Sequence, residues 1–249
     1  YCNKGIMDDG PVPLLMGFHG GGDSSMYLTF VAEWYQVAHD HNFLYVAVEN
    51  HQFVTATEVM EVMEEIKKRY NVDEKRIYAT GFSMGSCKTW ELFQEYPTAF
   101  AGVIPASALF PVKDNPLAQS HGDYMNMDVP VPMFYSGGEA SPLPELPCQA
   151  DSALERIQYG AMVNRLKANF AALDYANKDN WENPIWGVSG ERKEVFHDDV
   201  RDSDLTIWYY DSEDGVCRTA YASISGQGHE CRYHTCEHAW QFISQFTRE

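Results

Sequence analysis

Arg76-Ile77-Tyr78-Ala79-Thr80-Gly81-Phe82-Ser83-Met84-Gly85-Ser86 is the stretch on which the reading of the fold turns. Its first five residues form a short buried strand, and Met84 to Tyr96 follows with a helical pattern. Between the two lies Gly81-Phe82-Ser83-Met84-Gly85, of the form G-x-S-x-G. As a bare string this is weak in a chain with 18 glycines. Its setting gives it weight, because the motif needs a strand, a sharp turn and a helix in that order. The turn is so tight that side chains flanking the serine would collide, which is why glycines stand there. It lifts the Ser83 hydroxyl clear of the sheet and places it at a helix N-terminus, where developing negative charge is favoured. Ser83 is therefore the candidate nucleophile.

Outward from this turn the chain alternates strands and helices. Val12 to Phe18 reads as a buried strand opening into His19-Gly20-Gly21-Gly22, Met26 to His39 as a helix, and Phe43 to Val48 as a second buried strand. Thr55-Ala56-Thr57-Glu58 is a capping-box pattern, after which Val59, Val62, Met63, Ile66 and Tyr70 recur on one helix face. Gly102 to Ala106 and Val131 to Tyr135 are two more strands. The second half is less regular: Ser152 to Ala176 reads as one long helix and Trp181 to Val195 as loop. Leu205 to Tyr210 and Thr219 to Ile224 flank a turn at Asp214-Gly215, and a last helix runs from about Glu237 to Phe246. This alternation predicts an α/β fold with a mostly parallel central sheet and helices on both faces. With no repeat, low-complexity tract or linker, residues 1–249 read as a single domain. Proline-interrupted segments at Ser107 to Pro130 and Pro142 to Ala150 are placed to shape a cleft.

A serine nucleophile needs three kinds of help. Two backbone N–H groups must face the tetrahedral oxyanion; Met84, which follows the serine, and Gly21 of the glycine loop are the candidates, with Gly22 next. A base must take the hydroxyl proton. Of nine histidines, His229 in Gly226-Gln227-Gly228-His229 lies after the last strand and before the last helix, whereas His39, His41, His51, His121 and His197 have no such context and read as surface or cleft residues. A carboxylate must orient the base. The chain order Ser, Asp or Glu, His puts it after the Val131–Tyr135 strand, where Glu139 comes first and Glu145 and Asp151 follow.

Composition narrows the partners. A net charge of −18 repels phosphate backbones and anionic lipid surfaces, which argues against nucleic-acid and membrane partners. No apolar run approaches the roughly 18 residues of a membrane span. The chain opens Tyr1-Cys2-Asn3-Lys4-Gly5 without a signal peptide and reads as a domain cut from a longer protein. Six cysteines permit up to three bridges, buried thiols being the other reading. Cys231, His234, Cys236 and His238 beside His229-Glu230 suggest metal ligands, but C-x2-H-x-C-x-H matches no common zinc module. His234 also stands five residues from His229, off a shared helix face. No metal or cofactor is expected. A bridge that pins the histidine loop, from Cys231 to Cys87 or within the C-terminal cluster, suits these residues better.

Taken together, H-G-G-G (19–22), G-F-S-M-G-S (81–86), G-x-G-H (226–229) and the aromatic helix HAWQFISQF (238–246) resemble the secreted α/β-hydrolase esterases related to polyhydroxybutyrate depolymerases and feruloyl esterases. The resemblance spans residues 12 to 246. It implies ester hydrolysis through an acyl-enzyme on Ser83, an extracellular setting, and small or polysaccharide-linked ester substrates such as feruloyl or acetyl esters or short polyesters. A serine peptidase or acyltransferase would share the triad, and a binding domain would keep the fold without it. One departure is local. The family's acid loop reads G-x-x-D-x-x-V-P, whereas Gly138-Glu139-Ala140-Ser141-Pro142 puts Ser141 at the aspartate position; the family's N-terminal strands are also missing.

Overall fold

In a computed structural model of the chain, residues 1–108 and 125–248 are described. Eight strands form one sheet: β1 (Val12–Phe18), β2 (Leu44–Val48), β3 (Val72–Phe82), β4 (Gly102–Ala106), β5 (Met133–Gly138), β6 (Arg192–Asp198), β7 (Ser203–Asp211) and β8 (Cys217–Ile224). Their order is β2-β1-β3-β4-β5-β8-β7-β6. The pairings from β2 through to β8 are parallel, and β7 and β6 add antiparallel strands at one edge.

Where both of their faces are covered the parallel strands are mostly apolar, as in β1 and in the second half of β3 after the charged Asp73 to Arg76. Leu14 and Met16 of β1 join one core with Val59, Met63 and Ile66 of α2 (Ala56–Arg69), Trp90 and Phe93 of α3 (Met84–Glu95) and Ile157 of α4 (Asp151–Val163). Leu15, between them in sequence, faces the opposite core. That core holds Trp34 and Val37 of α1 (Trp34–His41) and Trp240 and Ile243 of α5 (Tyr233–Ile243). Neighbours in a strand point to opposite faces, so consecutive leucines serve two layers.

The capping box opens α2 as its sequence predicts. Thr55 Oγ1 accepts from Glu58 N–H at 3.1 Å, and the Glu58 carboxylate accepts from Thr55 N–H at 2.7 Å. Such a cap contributes about 1 kcal/mol. Lys67, Lys68 and Arg69 close the same helix, where cations complement its dipole.

Several elements differ from the sequence reading. The stretch Met26 to His39 is two pieces, a helical turn at Tyr27–Val31 and then α1, separated where Glu33 takes φ 60°. The long helix expected over Ser152 to Ala176 stops at Val163. The Asn164 amide there exchanges two 2.9 Å bonds with the Val131 backbone and donates to Thr219 Oγ1, while Arg165 turns the chain at φ 50°. The region read as loop contains the start of β6, an edge strand with Arg192, Lys193 and His197 exposed. Charge on an edge strand blocks further pairing and also hides its alternation. Finally, α5 begins at Tyr233, a turn earlier than read. Of the Ser107 to Pro130 segment, residues 109–124, with His121, lie outside the described residues.

Candidate active site

The C-terminal ends of β1, β3, β5 and β8 bring the site together. Ser83 sits between β3 and α3 with φ 56° and ψ −115°, a conformation that side chains rarely adopt. Its N–H is held by Ala106 O at 3.0 Å. The flanking glycines are sterically forced: a Cβ on Gly81 would stand 2.6 Å from Thr89 Oγ1, and one on Gly85 2.6 Å from His19 O. The elbow thus packs backbone to backbone against the glycine loop after β1.

His229 follows β8. Ser83 Oγ donates to its Nε2 at 2.8 Å, and its Nδ1 donates to Glu145 Oε1 at 2.5 Å. The His229 ring packs on Phe82, with centroids 4.8 Å apart, and Tyr27 stacks on Phe82 at 5.4 Å. Ser83 is 5% exposed and Glu145 is fully buried, while the His229 side chain keeps 21% exposure. The imidazole therefore reaches solvent and the carboxylate does not.

Glu139 is not the carboxylate beside the histidine. Its backbone N–H pairs with Ile224 O, and its Oε1 accepts from Ser223 Oγ at 2.7 Å. β5 runs to Gly138, three residues beyond the expected strand end, so Glu139 is still in register with β8 and its side chain is committed there. Glu145 reaches the site because Pro142 to Ala150 folds back beneath it. Oε2 accepts from Ser107 Oγ at 2.8 Å and from Gly138 N–H at 2.7 Å; Oε1 accepts from Ser141 Oγ at 2.5 Å. Its backbone is tied by Tyr135 Oη to Glu145 O and by Gln149 Oε1 to Glu145 N–H. A buried carboxylate needs such a set of donors to remain charged. Ser141 supplies one of them. Asp151 is exposed in the first turn of α4. Glu145 stands in Leu143-Pro144-Glu145-Leu146-Pro147, where its apolar neighbours are compatible with its burial.

Gly21 and Met84 lie together, a Cβ on Gly21 falling 3.2 Å from Met84 Cγ, and Gly22 turns away at φ 77°. Sequence reasoning missed what holds this loop. His51 is fully buried, not a surface or cleft residue, and donates from Nε2 to His19 O at 2.9 Å. Gln52 Nε2 donates to Gly20 O at 3.1 Å, and Lys88 Nζ of α3 to Val54 O at 2.7 Å. Residues 51–54 thus connect the nucleophile's helix to the glycine loop. Burial, then the neighbouring His19, lowers the His51 pKa to about 4, so the ring stays neutral.

The suggested metal cluster resolves into other contacts. Cys231 and Cys236 are buried facing each other, while the His234 and His238 rings meet edge to face and His238 stacks on Phe196 at 3.9 Å. Among the described residues, no group of three or more His, Cys, Asp or Glu side chains is placed to hold a metal ion, and no helix is long and apolar enough to cross a membrane.

Comparison with known proteins adds the following. No protein-family model matches the chain. The bifunctional acetylxylan esterase/xylanase XynS20E of Neocallimastix patriciarum is 22% identical over 248 residues, covering 94% of this chain. The chain spans only 31% of that protein's length. Among solved structures, an acetyl xylan esterase from Aspergillus awamori superposes with a TM-score of 0.59 at 11% identity, covering 98% of this chain and 92% of its own. The fold is that of the α/β-hydrolases. A ferulic acid esterase aligns nearly as well, with a TM-score of 0.56 at 13% identity over 98% of this chain and 90% of that one. Within the α/β-hydrolase frame, Ser83 occupies the strand–helix elbow, His229 the loop after the last strand, and Glu145 the loop after β5.

Proposed function

We propose that the chain is a serine carboxylic-ester hydrolase acting through an acyl-enzyme on Ser83. The observation that carries this reading is the unbroken relay from Ser83 Oγ to His229 Nε2 and from His229 Nδ1 to Glu145, 2.8 and 2.5 Å long. His229 takes the Ser83 proton as Oγ attacks the ester carbonyl carbon, and the imidazolium is stabilised by the buried Glu145 carboxylate. The N–H groups of Met84 and Gly21 receive the oxyanion. As the tetrahedral adduct collapses, His229 returns the proton to the leaving alcohol oxygen. Water then attacks the acyl-enzyme by the same relay and releases the acid.

The substrates in this reading are acetyl or feruloyl esters of plant polysaccharide, in keeping with the acetylxylan and ferulic acid esterases that the chain is similar to. Uncharged polymers of this kind also avoid repulsion by a net charge of −18. Such substrates lie outside cells, which places the enzyme there too. The test is a panel of p-nitrophenyl acetate, acetylated xylan and methyl ferulate, run with the wild type and Ser83→Ala. The wild type should release acetate or ferulate, and the variant neither. Equal turnover by the variant would refute the nucleophile; activity on p-nitrophenyl acetate alone would refute the polysaccharide ester.

A further inference from the structure

Two buried sulfurs stand beside the histidine loop. Cys231 and Cys236 have their Sγ atoms 3.6 Å apart and are 7% and 2% exposed. That separation is van der Waals contact, and a covalent bond would close it to roughly 2.05 Å. Cys231 lies two residues beyond His229, whereas Cys236 is in α5, whose Trp240 is packed on Phe43 at 3.8 Å. One cysteine therefore belongs to the loop that presents His229 and the other to a rigid element of the core.

We infer that Cys231 and Cys236 form a disulfide in the mature protein, and that this bond fixes the C-terminal side of the His229 loop to α5. The other side is already held, by Ala140 N–H on Gln227 O at 2.9 Å and Glu139 N–H on Ile224 O at 3.0 Å. On the Cys231 side the Cys231 N–H has a long bond, 3.4 Å, to Tyr27 Oη, Glu230 N–H bonds Gly228 O at 3.1 Å, and Arg232 O accepts from Cys236 N–H of α5 at 3.0 Å. The crosslink adds a covalent anchor to these noncovalent ones. Burial also pushes the Cys236 thiol well above its ordinary pKa, which makes it a poor nucleophile once folded.

The chemistry is thiol–disulfide exchange with a low-molecular-weight disulfide, RSSR. The thiolate of one cysteine attacks a sulfur of RSSR and expels one RSH after proton uptake. The second thiol, losing its proton, displaces the other RSH. Two thiols and one RSSR give one protein disulfide and two RSH.

The sequence provides a direct readout, because Arg232 lies between the two cysteines. The full chain is refolded with oxidised and reduced glutathione, quenched in acid, alkylated under denaturing conditions and digested with trypsin. The expected product is peptide 219–232 joined to peptide 233–248, separating on reduction. Separately alkylated peptides, or either cysteine joined to Cys2, Cys87, Cys148 or Cys217, would overturn the inference. The anchoring claim is read from Tm. Protein refolded oxidatively should melt about 4 °C above protein refolded with dithiothreitol. The Cys231→Ser/Cys236→Ser variant should show no such difference while keeping kcat/KM within about twofold at 25 °C. An equal shift in the variant, or none in the wild type, would refute the anchoring. Peptide mapping and melting need no activity, so they stand apart from the ester-hydrolase reading.

Discussion

Replacing Glu145 by glutamine keeps the size of the side chain and changes one hydrogen bond of consequence. The carboxylate has two working oxygens. Oε2 accepts from Gly138 N–H and Ser107 Oγ, and Oε1 accepts from His229 Nδ1 and Ser141 Oγ. In the variant the amide oxygen keeps the backbone bond at Gly138, because losing it would strand a buried donor. The amide NH2 then faces Nδ1. Two donors cannot share that contact, so the imidazole proton moves to Nε2, the nitrogen that must accept from Ser83. A triad trapped in the wrong tautomer loses about 10⁴-fold in kcat, equivalent to about 5.5 kcal/mol of transition-state stabilisation. Glu139→Gln is the control, because its oxygen can still accept from Ser223 Oγ, and it should retain activity within about threefold. The assay is kcat/KM on p-nitrophenyl acetate, with melting curves to show that both variants fold. A loss below tenfold for Glu145→Gln, or equal losses for the two, would refute the assignment of the acid.

Gln52→Ala removes the bond to Gly20 O without touching Ser83, His229 or Glu145, and the glycine loop loses one of its side-chain clamps. kcat should fall roughly tenfold with KM nearly unchanged and Tm within about 2 °C; a rise in KM alone would assign Gln52 to substrate binding instead. His51 also makes stability depend on acid. Folded His51 has its pKa lowered to about 4, whereas the unfolded chain protonates this ring near 6.5. Between those values the unfolded state binds more protons, so stability falls as pH falls, by about 2 kcal/mol from pH 7 to 5. His238, lowered in the same direction by burial, adds to it. Asp73 and Asp214 act lower still, since their depressed pKa values mean stability lost only as pH drops through the carboxylate range. Urea titrations at pH 7 and 5 should show the drop in wild type and a smaller one in His51→Asn; equal drops would refute the assignment to this ring.

The elbow and the glycine loop were legible because their chemistry is local. A strand, a turn too tight for side chains and a helix are contiguous, so Gly81 to Gly85 could be read in order, and His229 followed from its place after the last strand. Glu145 was a candidate only behind Glu139, because what brings it to His229 is the folding back of its loop. Glu139 is nearer the strand, but the strand ran on to Gly138 and carried it past the site. His51 and Gln52 were invisible for a similar reason: their bonds reach the glycine loop across about 30 residues of chain, and nothing in their neighbours announces it. The edge strand β6 went unread because its residues are mostly exposed and charged, so no apolar alternation marks it.

The account rests on Ser83 as the atom that carries the acyl group. A fluorophosphonate forms a stable covalent adduct with a serine activated in this way. Trypsin releases residues 77–88 as one peptide, bounded by Arg76 and Lys88. Fragmentation of that peptide should place a single adduct on Ser83 rather than Ser86, in step with the loss of p-nitrophenyl acetate hydrolysis, and Ser83→Ala should remain unlabelled. An adduct on another residue, or full hydrolytic activity in an enzyme whose Ser83 is completely labelled, would contradict it.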